Sequence, residues 1–408
     1  MNFYKKIYLM VFPLLIFISL IYFFKSIIYS RKLKILNNLY FNLPISFITK
    51  RDCNDYYSGL KNYLDDTYSV SIIDKKGFII FEHNSKNLRI PASNQKLLST
   101  SFVFNNSNIE SSLKTSLYID KKNNYYLSGS GDPDLLLNDL LKLVENIKYS
   151  KSIKLYLLEI NKNASWPDGW SKNDKLFSYG SPITKLAVNS NSSKYININF
   201  ISNKILDHLQ NIYPNSTVTV DILDNKNVYK RNLKLFKFHK SNNILSLITL
   251  ANAESHNYTA ESLYKNSSNT WNENEYNKIY KWLKYKGLPV QNSSIYDASG
   301  LSRKNRVTTN LVASLLHKMT FNNNYNYFSS SLSIYGVRGT LGNVKNDRKL
   351  IGKFFGKTGT LSNVFALSGY LYKKDDILSL SIIQNSRQID KNKVFSILSK
   401  VNEYDNCR

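Results

Sequence analysis

Alternation of apolar and polar residues marks strands near both ends of this chain. "YSVSIID" (68–74) and "FIIFE" (78–82) alternate on either side of "KKG" and read as a hairpin. Towards the other end, "KFFGKTGT" (353–360), "VFALSGYLY" (364–372) and "ILSLSIIQN" (377–385) read as three consecutive strands. Helical periodicity appears in "PASNQKLLSTSFVF" (91–104), "LITLANAESHNYTAESLYK" (247–265), "NEYNKIYKWLKYKG" (274–287) and the closing "KNKVFSILSKVNEY" (391–404). Pro91 biases its predecessor towards extended backbone, and Ser93 or Asn94 can cap the turn that follows.

The middle of the chain reads differently. "SLYID", "SIKLYLLEI", "KYININFI" and "STVTVDIL" are short strand-like pieces broken by Gly, Pro and Asn. Strands, a helix, an interruption, helices, three strands and a last helix predict an α+β fold. Its antiparallel sheet, flanked by helices, would come from residues 45–106 and 247–408, with 107–246 forming a β-rich inserted domain. The first and last strands would then meet in one sheet.

Before the folded part, Lys5 and Lys6 precede an uncharged apolar run, Ile7–Phe24. As a helix it spans roughly 27 Å, close to a bilayer core. No A-x-A-like cleavage site follows, so residues 1–34 are expected to be a single-pass anchor, with its cleavage left open. Lys25, Arg31, Lys32 and Lys34 follow the run, so charge counting leaves its orientation open.

Composition adds exclusions. The 408 residues carry 55 basic and 29 acidic side chains, a formal charge of +26. The basic residues are spread along the whole length, and neither zinc-finger spacing nor an RNP-like aromatic motif occurs, so no nucleic-acid partner is expected. Attraction to an anionic membrane or cell-wall polymer fits better. His83, His208, His239, His256 and His317 show no metal-ligand spacing, so no metal or cofactor is expected. Cys53 and Cys407 are either two free thiols or one bridge tying the ends of the domain.

Three short motifs carry chemistry. Ser93 and Lys96 form S-x-x-K at a helix start, a spacing that puts both side chains on one face. There the lysine can take the hydroxyl proton. Ser255 and Asn257 form S-x-N in the returning helical region, and Lys357, Thr358 and Gly359 form K-T-G on a strand, followed by Thr360. Each is ordinary alone. In this order and context they resemble the penicillin-recognising serine enzymes.

The resemblance extends to one branch. "GSGDPDLLL" (129–137), "WPDGW" (166–170), "YGSPITKLAVNSN" (179–191), "DASGLSRKN" (297–305), "GVRGTL" (336–341) and "KTGTLSNVFALSGYL" (357–371) are similar, in order, to the D-alanyl-D-alanine carboxypeptidases of the peptidase S13 family, the class C low-molecular-mass penicillin-binding proteins. This implies a DD-peptidase-like catalytic fold and hydrolysis of the terminal D-Ala–D-Ala bond of peptidoglycan stem peptides. Some relatives also cut D-Ala–diaminopimelate cross-bridges. β-Lactams would be covalent inhibitors. It further implies Ser93 as nucleophile, Lys96 as its base, Ser255 as proton relay assisted by Lys357, and Asn257 as a holder of the substrate amide. Lys357, Thr358 and Thr360 would bind the terminal carboxylate beside Gly359, with the N–H groups of Ser93 and Thr360 as the oxyanion hole. Peptidoglycan as substrate would place the domain on the outer side of the cytoplasmic membrane.

Within "DASGLSRKN", Gly300 is expected to serve a turn, with Asp297 and Arg303 bonding to hold the edge of the site. Trp166 and Trp170 are expected to pack, and the His256 ring to point out of the cleft. The chain departs from the family at Ala298, where Gly is usual, at His256, where Asp is usual, and at Arg338, where an acidic residue is usual. The separation of Ser93 from Ser255, 162 positions, is also short for this branch, so part of the accessory region is missing. Two rivals remain: a serine β-lactamase, for which "ENEYN" (273–277) lies too close to Ser255 to supply the deacylating loop, and a non-catalytic wall-binding scaffold on the same fold.

Overall fold

A computed structural model describes residues 26–27, 29–44, 49–50, 58–159, 166–193, 195–224, 232–271 and 275–404. Among these, the strands are β1 (Thr49–Lys50), β2 (Tyr68–Ile73), β3 (Phe78–His83), β4 (Ser112–Ile119), β5 (Tyr125–Ser128), β6 (Ser152–Glu159), β7 (Thr217–Asp224), β8 (Lys234–Asn243), β9 (Ser333–Ile334), β10 (Phe354–Leu361), β11 (Val364–Tyr372) and β12 (Ile377–Asn385). Helix α1 runs over 29–42, followed by α2 (Ser58–Lys61), α3 (Gln95–Asn106), α4 (Leu137–Val144), α5 (Ile198–Ile212), α6 (Ile244–Ala253), α7 (Asn257–Ser268), α8 (Asn277–Tyr285), α9 (Thr309–Met319), α10 (Tyr325–Ser330) and α11 (Lys391–Glu403).

The larger sheet has the order β1-β3-β2-β12-β11-β10-β9. Antiparallel pairing of β2 with β12, Val70 opposite Ile382, joins the N-terminal hairpin to the last strand. Period-two alternation then splits the central strands between two cores. Ala366, Tyr370 and Ile383 face a helical layer made with α3, α6, α8 and α9, while Phe365, Leu367, Leu380 and Ile382 face α11 through Val394, Ile397 and Leu398. With both faces covered, β11 and β12 are buried almost throughout. Small polar residues line the sheet below the motif helix: Asn94 donates to Ser368 at 2.6 Å, and Ser368 to Ser381 at 2.8 Å.

The second sheet, β7-β6-β5-β4-β8, has its own core of Leu117, Leu127, Leu155, Leu157, Ile201 and Ile205. It is mixed: β5, β6 and β7 run parallel, with α4 and α5 among their connections. "KYININFI", expected as a strand, instead opens α5. Asn197 accepts from Phe200 N at 2.9 Å as an N-cap, and Ile201, Ile205 and Leu209 recur at helical spacing on the buried side.

A second expectation is corrected. Among the described residues no helix is long and apolar enough to cross a membrane. Over its described residues 29–42, helix α1 carries Arg31, Lys32 and Lys34. Ile7–Phe24, on which the anchor rested, lies outside the described residues, as do Cys53 and Cys407. The membrane helix, the membrane as partner and the single-pass location in the cytoplasmic membrane are withdrawn.

Candidate active site

The chain enters the site through Pro91 and a short 3-10 turn, Ala92–Asn94, which runs directly into α3. Ala92 has φ +47°, a conformation that non-glycine residues adopt at a cost and that orients Ser93. Two glycines make room for this turn. A side chain on Gly300 would begin 1.9 Å from the Ala92 carbonyl oxygen, and one on Gly359 would begin 2.9 Å from Ser93 N. The 297–302 turn and strand β10 therefore close on Ser93 from two sides.

Lys96 is fully buried in the first turn of α3. Its Nζ lies 3.2 Å from Ser93 Oγ, 2.6 Å from Asn257 Oδ1 and 2.7 Å from the carbonyl oxygen of Ser299. Asn257 Nδ2 donates to the Tyr179 carbonyl at 2.9 Å, which turns Oδ1 towards the lysine. Burial pushes the Lys96 ammonium down to about 7, against the opposing pull of Asp297 and Glu261. When neutral, the amine has two N–H groups for the two carbonyl oxygens, and its lone pair is left facing the Ser93 hydroxyl.

Ser255 occupies the break between α6 and α7 with φ +62°, so the S-x-N motif is a kink that ends one helix and starts another. Asn257 is the first residue of α7. The ring of His256 bonds Thr259 Oγ1 through Nδ1 at 2.7 Å, within the start of its own helix. Burial holds it below the usual histidine range, with Lys96 adding to the effect.

Lys357 is fully buried on β10, and its Nζ donates to the Thr358 carbonyl at 3.0 Å. Burial, reinforced by the charge of Lys96, holds its ammonium well below the usual lysine range, while Glu254 pulls the other way. Thr358 Oγ1 donates to Thr340 Oγ1 at 2.8 Å, and Thr360 is exposed. Arg338 donates to the Leu332 carbonyl at 2.9 Å and to that of Ser330, so its bonds secure the end of α10.

The 297–305 segment is held from within. Asp297 accepts from Gly300 N at 2.8 Å, Ser302 N at 2.6 Å, Asn305 Nδ2 at 2.7 Å and the indole N–H of Trp170 at 2.9 Å. Trp170 packs with Ile183, Ala187, Tyr258 and Leu301, and Trp166 lies against this cluster. Arg303 Nη1 bonds Asp174 Oδ2 at 2.5 Å. Part of the middle segment thus forms one wall of the cleft. The Ser299 and Tyr179 carbonyls have no signature in the sequence, because a backbone oxygen leaves no letter to read. Among the described residues no group of His, Cys, Asp and Glu is arranged to hold a metal.

The model of the D-Ala-D-Ala carboxypeptidase 3 (S13) family matches residues 67–200 and 201–402. A D-alanyl-D-alanine carboxypeptidase of Actinomadura sp. (strain R39) is 38% identical over 106 residues, which cover 24% of this chain and 20% of that protein. The fold resembles penicillin binding protein 4 from Haemophilus influenzae, with TM-score 0.67 and 18% identity, covering 84% of this chain and 94% of that one. It also resembles the Bd3459 predatory endopeptidase from Bdellovibrio bacteriovorus, solved with immunity protein Bd3460, with TM-score 0.54, 15% identity and coverage of 82% and 90%. The chain belongs to the D-Ala-D-Ala carboxypeptidase 3 (S13) family.

Proposed function

We propose that this chain is a serine-type D-Ala–D-Ala carboxypeptidase acting on peptidoglycan stem peptides through an acyl-enzyme on Ser93. The observation that carries the reading is the setting of Lys96: buried, shifted to about 7, and bonded to two carbonyl oxygens with Ser93 Oγ as its third neighbour. A lysine in this state is a base near neutral pH.

In the proposed reaction, Ser93 Oγ attacks the carbonyl of the penultimate D-Ala while its proton passes to Lys96. The tetrahedral oxyanion is received by the N–H groups of Ser93 and Thr360. The C–N bond then breaks, and the proton reaches the leaving amine through Ser255, with Lys357 assisting. Water attacks the resulting ester, gives a proton to Lys96, and the Ser93 oxygen leaves and is reprotonated. Asn257 orients Lys96 and holds the substrate amide. Burial and the charge of Lys96 hold Lys357 low against the pull of Glu254, so a terminal carboxylate bound by Lys357, Thr358 and Thr360 would favour its ammonium form. This favours substrates that end in a free D-Ala. The split of the chain into a catalytic part (45–106 and 247–408) and an inserted part (107–246) belongs to the same proposal. It is supported by the separate cores of the two sheets.

The test is release of D-alanine from an N-acylated peptide ending in D-Ala–D-Ala. Release by the parent and its loss in Ser93→Ala are expected. A folded parent that releases no D-alanine overturns the carboxypeptidase reading.

A further inference from the structure

Behind Lys96 lies a carboxylate that the reaction above does not use. Glu261 is fully buried on α7, one helical turn after Asn257, so the helix directs both side chains from one face. Asn257 meets Lys96 directly. Glu261 reaches it through one peptide: its Oε1 accepts from Ala298 N at 3.0 Å and Ser299 N at 2.8 Å, and the Ser299 carbonyl accepts from Lys96 Nζ at 2.7 Å. Ser299 is thus held by its N–H on the carboxylate and by its C=O on the lysine. Asp297 fixes the other side of the same turn with bonds to Gly300 N and Ser302 N.

We propose that Glu261 is a positioning residue for acylation, holding the Ser299 carbonyl against Lys96 Nζ and placing a buried negative charge behind the amine. This rests on the reading of Lys96 as the base for Ser93. The groups facing Lys96 are Glu261 from α7, Asp297 from the 297–302 turn, Lys357 from β10 and His256 from the start of α7. Those facing Glu261 are Lys96, Asp297, Tyr276 and Tyr264. Burial, then the charge of Asp297, pushes the Glu261 carboxyl up to about 7. When ionised, Glu261 favours protonated Lys96, so removal of that charge favours the neutral base.

The two contributions can be separated. Both backbone N–H bonds converge on Oε1, so Glu261→Gln keeps the acceptor and removes the charge, whereas Glu261→Ala removes both. The measurement is the second-order rate of acylation by benzylpenicillin across pH 5–10, for the parent and both variants, with folding followed by circular dichroism. For Glu261→Gln the rise of the rate should move about half a pH unit or more towards acid, while the alkaline plateau stays within about threefold of the parent. In folded Glu261→Ala the plateau should fall about tenfold or more, because the Ser299 carbonyl loses its anchor. An unmoved profile in Glu261→Gln overturns the inference even where Glu261→Ala does not fold, and so does an unchanged plateau in folded Glu261→Ala. A parent that is not acylated at all overturns the reading of Ser93 together with this inference, whereas an acylated parent beside an unmoved Glu261→Gln profile overturns this inference alone.

Discussion

Gly300 is pressed against the residue that precedes the nucleophile: its φ is +85°, and an added side chain would begin 1.9 Å from the Ala92 carbonyl oxygen. The 297–302 turn and the Ser93 turn therefore support each other through backbone contact alone. Gly300→Ala must strain one of them. The left-handed conformation and the overpacking together predict a loss of about 3 kcal/mol in unfolding free energy and slower acylation. Denaturant unfolding, with acylation measured on the folded fraction, checks both; a stable, fully reactive variant would contradict it.

Acylation should depend on pH with a definite sign. Lys96 acts when neutral, and its proton leaves near pH 7, so the rate should be low in acid and rise through about pH 7 to a plateau. A rate that is flat from pH 5 to 9, or that falls as pH rises through 7, would contradict a lysine base. Lys96→Met should cut the plateau by about 10² to 10⁴ while leaving the chain folded.

Asn257→Asp should move that rise the other way. The new carboxylate keeps an acceptor beside Lys96 but adds negative charge, which favours the ammonium. It also loses the donation to the Tyr179 carbonyl. The rise should shift towards alkaline pH, opposite in direction to Glu261→Gln. A shift towards acid would show that Asn257 and Lys96 do not communicate as described.

Trp170→Phe separates support from chemistry. It removes the indole N–H that bonds Asp297 Oδ2 at 2.9 Å and keeps most of the packing with Ile183 and Leu301. Unfolding free energy should drop by about 1–2 kcal/mol. The pH at which acylation rises should stay in place. A displaced rise would mean that Trp170 acts on the reacting groups and not on the scaffold alone.

Much of this was legible in the sequence where side-chain periodicity is the cause of the structure. The three closing strands and the final helix lie within a residue or two of the alternating segments, because each face of the sheet is buried in its own core. Ser93, Lys96 and Asn257, separated by up to 164 positions, come together as their motifs suggest. The rest was written in signals that periodicity does not carry. The helical pattern of "LITLANAESHNYTAESLYK" continues unbroken through Ser255, although the backbone there turns left-handed. Parallel and antiparallel strands share one alternation, so the pairing of β5 with β6 was not readable. "KYININFI" alternates like a strand, yet the Asn197 cap and the core contacts of Ile201 and Ile205 make it a helix start. The Ser299 and Tyr179 carbonyls that arrange Lys96 and Asn257 are backbone atoms with no sequence signature.

The central claim is that Ser93 is an acylated nucleophile. Intact-mass spectrometry of the folded protein incubated with benzylpenicillin, beside Ser93→Ala, tests it most directly. One long-lived adduct per chain, mapped to the peptide containing Ser93 and missing from the variant, is the predicted result. No adduct on a folded parent, or an undiminished adduct on Ser93→Ala, would contradict it.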